Sequence, residues 1–200
     1  EDNASALYAY DNGDNKIYFT PKGLVYSFWE KTRRAKEDHF SMESEEEDKK
    51  GEVKSDAVSM EWVGANQNVS IVAEEPVNNY YSYTITGKDG EWNNINYIQA
   101  YKKLIYKNLY PGIDVEYVFH SGKGIEYSLI LHEGADLSVV KMQYSDGHTV
   151  SLSKGNVHVS TRFGDIIDHA PSSFYTNDGE KIASRFTRNG DIISFATGNY

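Results

Sequence analysis

"YKNLYPGIDVEYVF", residues 106–119, holds the pattern on which the fold turns. Pro111-Gly112 has the composition of a tight turn, because Pro presets φ and Gly accepts the positive φ that such turns require. After it, Ile113, Val115 and Tyr117 alternate with Asp114, Glu116 and Val118. That two-residue period marks a strand with one face in a core. It also sends two carboxylates, Asp114 and Glu116, to one side, about 7 Å apart along the strand. They are either an acid/base pair or the polar outer face of a strand. Just upstream the pattern is ambiguous. In "NYIQAYKKLIYKN", residues 96–108, Tyr97, Ala100, Tyr101, Leu104, Ile105 and Asn108 fit helical spacing, whereas the tyrosine and β-branched content fits a strand.

Working outward, alternation and turn chemistry recur on both sides. Toward the N-terminus, "LYAY", "KIYFT" and "LVYSFW" are divided by "DNGDN" and "PKG", the pattern of a β-meander. "AVSMEWVG" puts Val58, Met60 and Trp62 on one face, and the aromatic run "EEPVNNYYSYTITGKDGEW" ends in a Gly-containing turn. Toward the C-terminus, eight short runs from "IEYSLILH" to "DIISFAT" are punctuated by Asp146-Gly147, Lys154-Gly155, Asp178-Gly179 and Asn189-Gly190. This spacing predicts an all-β fold, an antiparallel β-sandwich formed as one module or as two small β-lobes, 1–95 and 96–200. Residues 33–56 break the pattern. Almost entirely charged or small, with Phe40, Met42 and Val53 as the sizeable apolar side chains, they read as a mobile acidic loop.

Composition narrows the function. The chain of 200 residues is 39% hydrophobic and 14% aromatic, with sixteen tyrosines, which suits a folded β-rich domain. A formal net charge of −10 would repel a phosphate backbone, so nucleic acid is not an expected partner. Cysteine is absent, which excludes disulfides and thiolate–metal sites. No run is long and apolar enough for a membrane-spanning helix, and no basic-then-apolar segment opens the chain as a signal peptide would.

Motifs for chemistry are sparse. The DNGDN segment gathers Asp11, Asn12, Asp14 and Asn15 but lacks the later bidentate acid of an EF-hand loop, so it reads as a turn. His120, His132, His148, His158 and His169 lie in separate runs, with no short pair of zinc spacing, and no G-x-S-x-G elbow accompanies the serines. Asp114 follows a Pro-Gly turn by two residues, where a carboxylate can brace strand entry by accepting backbone N–H groups. The aromatic residues offer the best ligand chemistry. Trp92, Tyr81 and Tyr83 are the sugar-stacking candidates, whereas Trp62 lies in an alternating run where burial is expected.

Taken together, "YKNLYPGIDVEYVF", "GIEYSLILHEGADLSVVKMQY", "KIYFTPKGLVYSFW", "MEWVGAN" and "DIIDHAPSSFYTNDGEKIASRFT" resemble a family of extracellular domains of Bacteroidota. Members stand near the N-terminus of large surface or secreted proteins. They precede β-propeller-type (SBBP) repeats, polycystic-kidney-disease-type Ig-like domains, and a type IX secretion or gliding-motility C-terminal domain. The resemblance carries over a structural motif of Tyr110, Pro111, Gly112, Ile113, Asp114, Tyr127, Gly134, Ala135, Asp136 and Pro171. Ser128, Glu133 and Leu137 depart from the family pattern, which has Asp or Pro at these places, and the acidic insert is longer. No catalytic residue, metal or cofactor is implied. The expected role is a non-enzymatic structural or adhesion-related module cut from a larger protein, located outside the cell. Its expected partners are a protein or glycan at the cell surface and the neighbouring domains of its parent. A carbohydrate-binding module and a glycoside hydrolase-like enzyme are the alternatives.

Overall fold

Short alternating runs separated by Gly-containing turns pair with their chain neighbours, and the resulting hairpins merge into larger sheets. A computed structural model of the chain describes residues 6–13, 15–31, 53–86, 91–120, 124–145 and 147–198. Its strands are β1 (Tyr8–Asp11), β2 (Asn15–Thr20), β3 (Gly23–Lys31), β4 (Val53–Trp62), β5 (Ser70–Thr86), β6 (Trp92–Tyr110), β7 (Ile113–His120) and β8 (Gly124–Leu131). They continue as β9 (Lys141–Tyr144), β10 (Val150–Ser153), β11 (Asn156–Thr161), β12 (Gly164–Asp168), β13 (Ser173–Phe174), β14 (Lys181–Ile182), β15 (Ser184–Asn189) and β16 (Ile192–Thr197). No α-helix occurs among the described residues.

The fold is all-β, as its alternation predicts, and every pairing of strands is antiparallel. A seven-stranded sheet runs in the order β1-β2-β3-β4-β9-β16-β15, and a four-stranded sheet in the order β5-β6-β7-β8. A three-stranded sheet, β10-β11-β12, and the short pair β13-β14 complete the topology. The larger sheet therefore joins the first meander to strands from the last third of the chain. Two expectations are corrected here. A lobe boundary near residue 95 would cut through β6, which stays paired with β5 on both sides of that point. The charged segment also ends earlier than 56, because Val53–Asp56 already pair with Phe28–Lys31 of β3. Residues 33–52 of that loop assignment lie outside the described residues. The ambiguous stretch 96–108 is strand.

The core explains why the two main sheets face each other. Ile17, Phe19, Leu24, Val58, Met60, Trp62, Met142 and Ile193 line one side, and Leu104, Tyr106, Val115 and Tyr117 line the other. Each such side chain contributes about 1.5–3 kcal/mol when fully withdrawn from water. Phe19 meets Tyr117 edge-on at 5.3 Å between centroids. Buried tyrosine and tryptophan also need partners for their polar atoms. Trp62 Nε1 donates to the Tyr117 hydroxyl at 3.0 Å, and the Tyr106 hydroxyl donates to Thr20 O at 3.0 Å. These bonds fix the packing register of the two sheets as well as filling the core. A close approach secures the β2–β3 turn, since a side chain on Gly23 would collide with the Met60 carbonyl.

Candidate functional site

At the Pro-Gly turn, Tyr110 pairs with Ile113, and Gly112 between them has φ +71°. A Cβ on Gly112 would also come within 3.2 Å of the Ala135 Cβ. The loop that follows β8 is seated on this turn. The His132 N–H donates to Gly112 O at 2.9 Å, and the Ala135 N–H donates to His132 O at 3.0 Å. Asp136 accepts the Ser138 N–H at 2.9 Å and so caps a single 3-10 turn, Leu137–Val139. The Tyr110 hydroxyl, itself buried, donates to Val63 O at 3.0 Å and ties the turn to the end of β4.

Asp114 sits opposite an irregularity in β6. Between the pairs Tyr106↔Val115 and Tyr110↔Ile113, β6 has three residues where β7 has one. Asn108, in this bulge, takes φ +51° and gives its N–H to Asp114 Oδ1 at 2.7 Å. Lys107 Nζ lies 2.9 Å and His132 Nε2 3.3 Å from Asp114 Oδ2. The residue is only 3% exposed. Burial acts to raise its pKa, but the Asn108 N–H, Lys107 and His132 outweigh it, and the carboxyl is held below the usual Asp range. Glu116 differs from its expected solvent-facing role. It is partly buried and pairs with Lys103 at 3.1 Å, while Lys103 also reaches Glu75 at 3.5 Å. The hydrogen bond and charge of Glu116 are the main cause of a raised Lys103 pKa, with Glu75 adding to them.

A second polar cluster lies where three sheets meet. The Tyr127 hydroxyl of β8 donates to Asp168 Oδ2 of β12 at 2.7 Å, and Tyr127 stands edge-on to Trp62 of β4 at 6.0 Å. Burial pushes the Asp168 carboxyl up to about 6, against the opposing pull of the Tyr127 hydroxyl and His169. Burial likewise raises the hydroxyls of Tyr127, Tyr26 and Tyr144, with the Asp168 charge adding to each. All three tyrosines therefore keep their protons at neutral pH. A third anchor is Asp56, which accepts the Arg162 N–H at 3.1 Å and the Ala57 N–H at 3.0 Å and meets His148 Nε2 at 3.2 Å. The Arg162 bond is the main cause of its lowered pKa. Two surface hollows are lined by Asp136, Leu137, Ser138 and 195–198, and by Asp56, Gly147, His148 and 160–162. Asp114, Glu116 and Asp168 line neither. His120, His132, His148 and His158 each meet a different carboxylate. Among the described residues no group of three His, Asp or Glu side chains has the arrangement of a metal site.

The ligand candidates fall elsewhere. β7 pairs with β6 only over 103–110, so among the described residues 76–86 of β5 and 92–101 of β6 continue without a third strand. They form a two-stranded ribbon about 30 Å long. Trp92 is 74% exposed and Tyr81 52%, and the ribbon adds Tyr80 at 61% and Tyr97 at 80%. Register places Trp92, Asn94, Thr84 and Tyr80 on one face, and Tyr97, in the bulge between the Tyr81 and Tyr83 pairs, turns its ring to Tyr80. Thr84 Oγ1 donates to Asn94 Oδ1 at 2.8 Å, as their pairing allows, and the Tyr80 and Tyr97 rings meet edge-on at 6.1 Å. Tyr81 lies on the opposite face with Ile95. The Tyr83 side chain lies outside the described residues. Trp62, by contrast, is buried. Tyr97 escapes a reading of the sequence because it sits in the ambiguous stretch and at a bulge, with φ +60°. Tyr80 carries a weaker signal, as one half of the Tyr80-Tyr81 pair.

Fold and site together define an all-β domain with braced turns and an exposed aromatic ribbon. Residues 2–200 match the family described as Domain of unknown function (DUF7948), and the chain belongs to that family. No curated protein and no solved structure matches it.

Proposed function

We propose that this chain is a non-enzymatic structural and adhesion module of a larger bacterial surface or secreted protein, with the β5–β6 ribbon as its contact element. The observation that carries this reading is the ribbon itself. A two-stranded ribbon is marginal in water when it stands alone, and this one exposes Trp92, Tyr80 and Tyr97 on one face. Clustered exposed aromatics mark interaction surfaces. The carboxylates, in contrast, are engaged in bracing. Asp114 holds a bulge, Asp168 takes the Tyr127 hydroxyl and Asp56 joins β4 to the turn after β11. The extracellular setting and the neighbouring repeats and sorting domains follow from the resemblance to surface domains of Bacteroidota.

The test is to shorten the ribbon by joining Glu75 to Lys102 through an Asn-Gly turn. Beads coated with the unaltered chain should adhere to cell surfaces or insoluble polymers, and the shortened variant should lose that adhesion while melting at the same temperature. Equal adhesion by both proteins would remove the ribbon from the function. Turnover of a polysaccharide by the unaltered chain would overturn the non-enzymatic part.

A further inference from the structure

We propose that the Trp92–Tyr97–Tyr80 face of the ribbon is a stacking platform for a neutral polysaccharide. The proposal rests on the ribbon being the contact element and names what it contacts. The first argument is charge. Residues 76–86, PVNNYYSYTIT, and 92–101, WNNINYIQAY, contain no Asp, Glu, Lys, Arg or His, in a chain that is 25% charged. A charge-free strip matches a charge-free ligand, since nothing ionic is then desolvated without a counter-ion. A polyanion or an anionic membrane would find no Lys or Arg here and would meet a net charge of −10.

The second argument is the kind of polar group between the rings. A sugar ring has an apolar C–H face and an edge of hydroxyls, so its site needs aromatic faces together with uncharged donors and acceptors. Thr84 occupies Asn94 Oδ1, which leaves the Asn94 NH2 to donate outward. Gln99 Nε2 is taken by Val77 O and Ala100 O at 2.7 and 2.9 Å, which leaves its Oε1 to accept. Trp92 stands about 15 Å along the strand from Tyr97. The platform is longer than one sugar ring, so the ligand is a chain.

The test is native affinity electrophoresis in gels containing hydroxyethylcellulose, xyloglucan, galactomannan or dextran, with alginate and phosphatidylcholine vesicles as contrasts. At least one neutral polymer should retard the chain, to the same extent from about 50 to 500 mM NaCl, because no ionic contact is there to be screened. Binding should shift tryptophan emission, and Trp92→Phe should abolish that shift. Trp92→Ala and Tyr97→Ala should each weaken binding about tenfold, as for aromatic anchors at an interface. Ile95→Thr, on the opposite face, should leave binding unchanged, and all these variants should melt like the parent. Retardation by no neutral polymer, retardation by alginate alone, binding to vesicles, or self-association that shields Trp92 would each overturn the proposal. If bead adhesion still needs the ribbon while no neutral polymer binds, the glycan assignment falls and the contact element stands. If adhesion survives loss of the ribbon, both fall.

Discussion

At Asp114 three donors converge on one carboxylate that has almost no contact with water. Charge-assisted bonds of this kind are worth more than neutral ones, and removing the carboxylate forfeits all three at once. Asp114→Ala should therefore cost about 2–3 kcal/mol in urea unfolding, whereas Glu116→Gln should stay within about 0.5 kcal/mol, because the Lys103 pair is partly solvent-screened. Equal effects at the two positions would show that the bulge is held by something other than Asp114. At Gly112 the left-handed backbone and the nearby Ala135 Cβ act together. Gly112→Val should lower stability by about 1–3 kcal/mol through backbone strain, read as a shifted denaturation midpoint with an unchanged slope.

At the scale of elements, β6 serves two purposes along one strand. Its C-terminal half, from Lys103, is covered by β7 and supplies Leu104 and Tyr106 to the core, while its N-terminal half belongs to the ribbon. Backbone amides of 92–101 should exchange with deuterium far faster than those of 103–106, because local opening is easiest where few buried contacts hold a strand. Uniform protection along β6 would refute the division. Much of this organisation is legible in the sequence and part is not. The alternation of Ile113, Val115 and Tyr117 reports a buried face because side-chain period and strand period coincide. No local pattern reveals that β7 stops pairing at Lys103, since that depends on a neighbour in space. The same holds for the Asp114 site, where the N–H that matters comes from Asn108 with positive φ. Trp92 is readable as an exposed ring because it borders a turn, but the companionship of Tyr80 and Tyr97 depends on a register shift.

Across the whole molecule, Asp168 couples the three-stranded sheet to the two larger ones through Tyr127. Its pKa of about 6 lies above the value of about 3.9 for an unfolded Asp. Between those values the folded chain holds more protons than the unfolded one, so stability rises as pH falls through 6. Asp114, Asp56 and Asp136, with lowered values, act in the opposite sense, and their contribution is lost below about pH 4. The melting temperature should therefore climb from about pH 7 to about pH 5, by an amount on the order of 1 kcal/mol in stability, and fall below about pH 4. Asp168→Asn should flatten the upper part of that profile; an identical profile would assign the rise to another group.

The junction of β4 with β9 has a consequence for the time course of folding. Met60 and Tyr144 are register partners, yet the whole four-stranded sheet lies between them in the chain. The first meander can form from local hairpins within microseconds, but its β4 edge stays open until β9 arrives, and only then can β16 and β15 add. Non-local closure of this sort is slow, on the order of milliseconds to seconds. During synthesis a bare β4 edge waits for the last third of the chain, and this interval is when the protein is most vulnerable to pairing with a stranger.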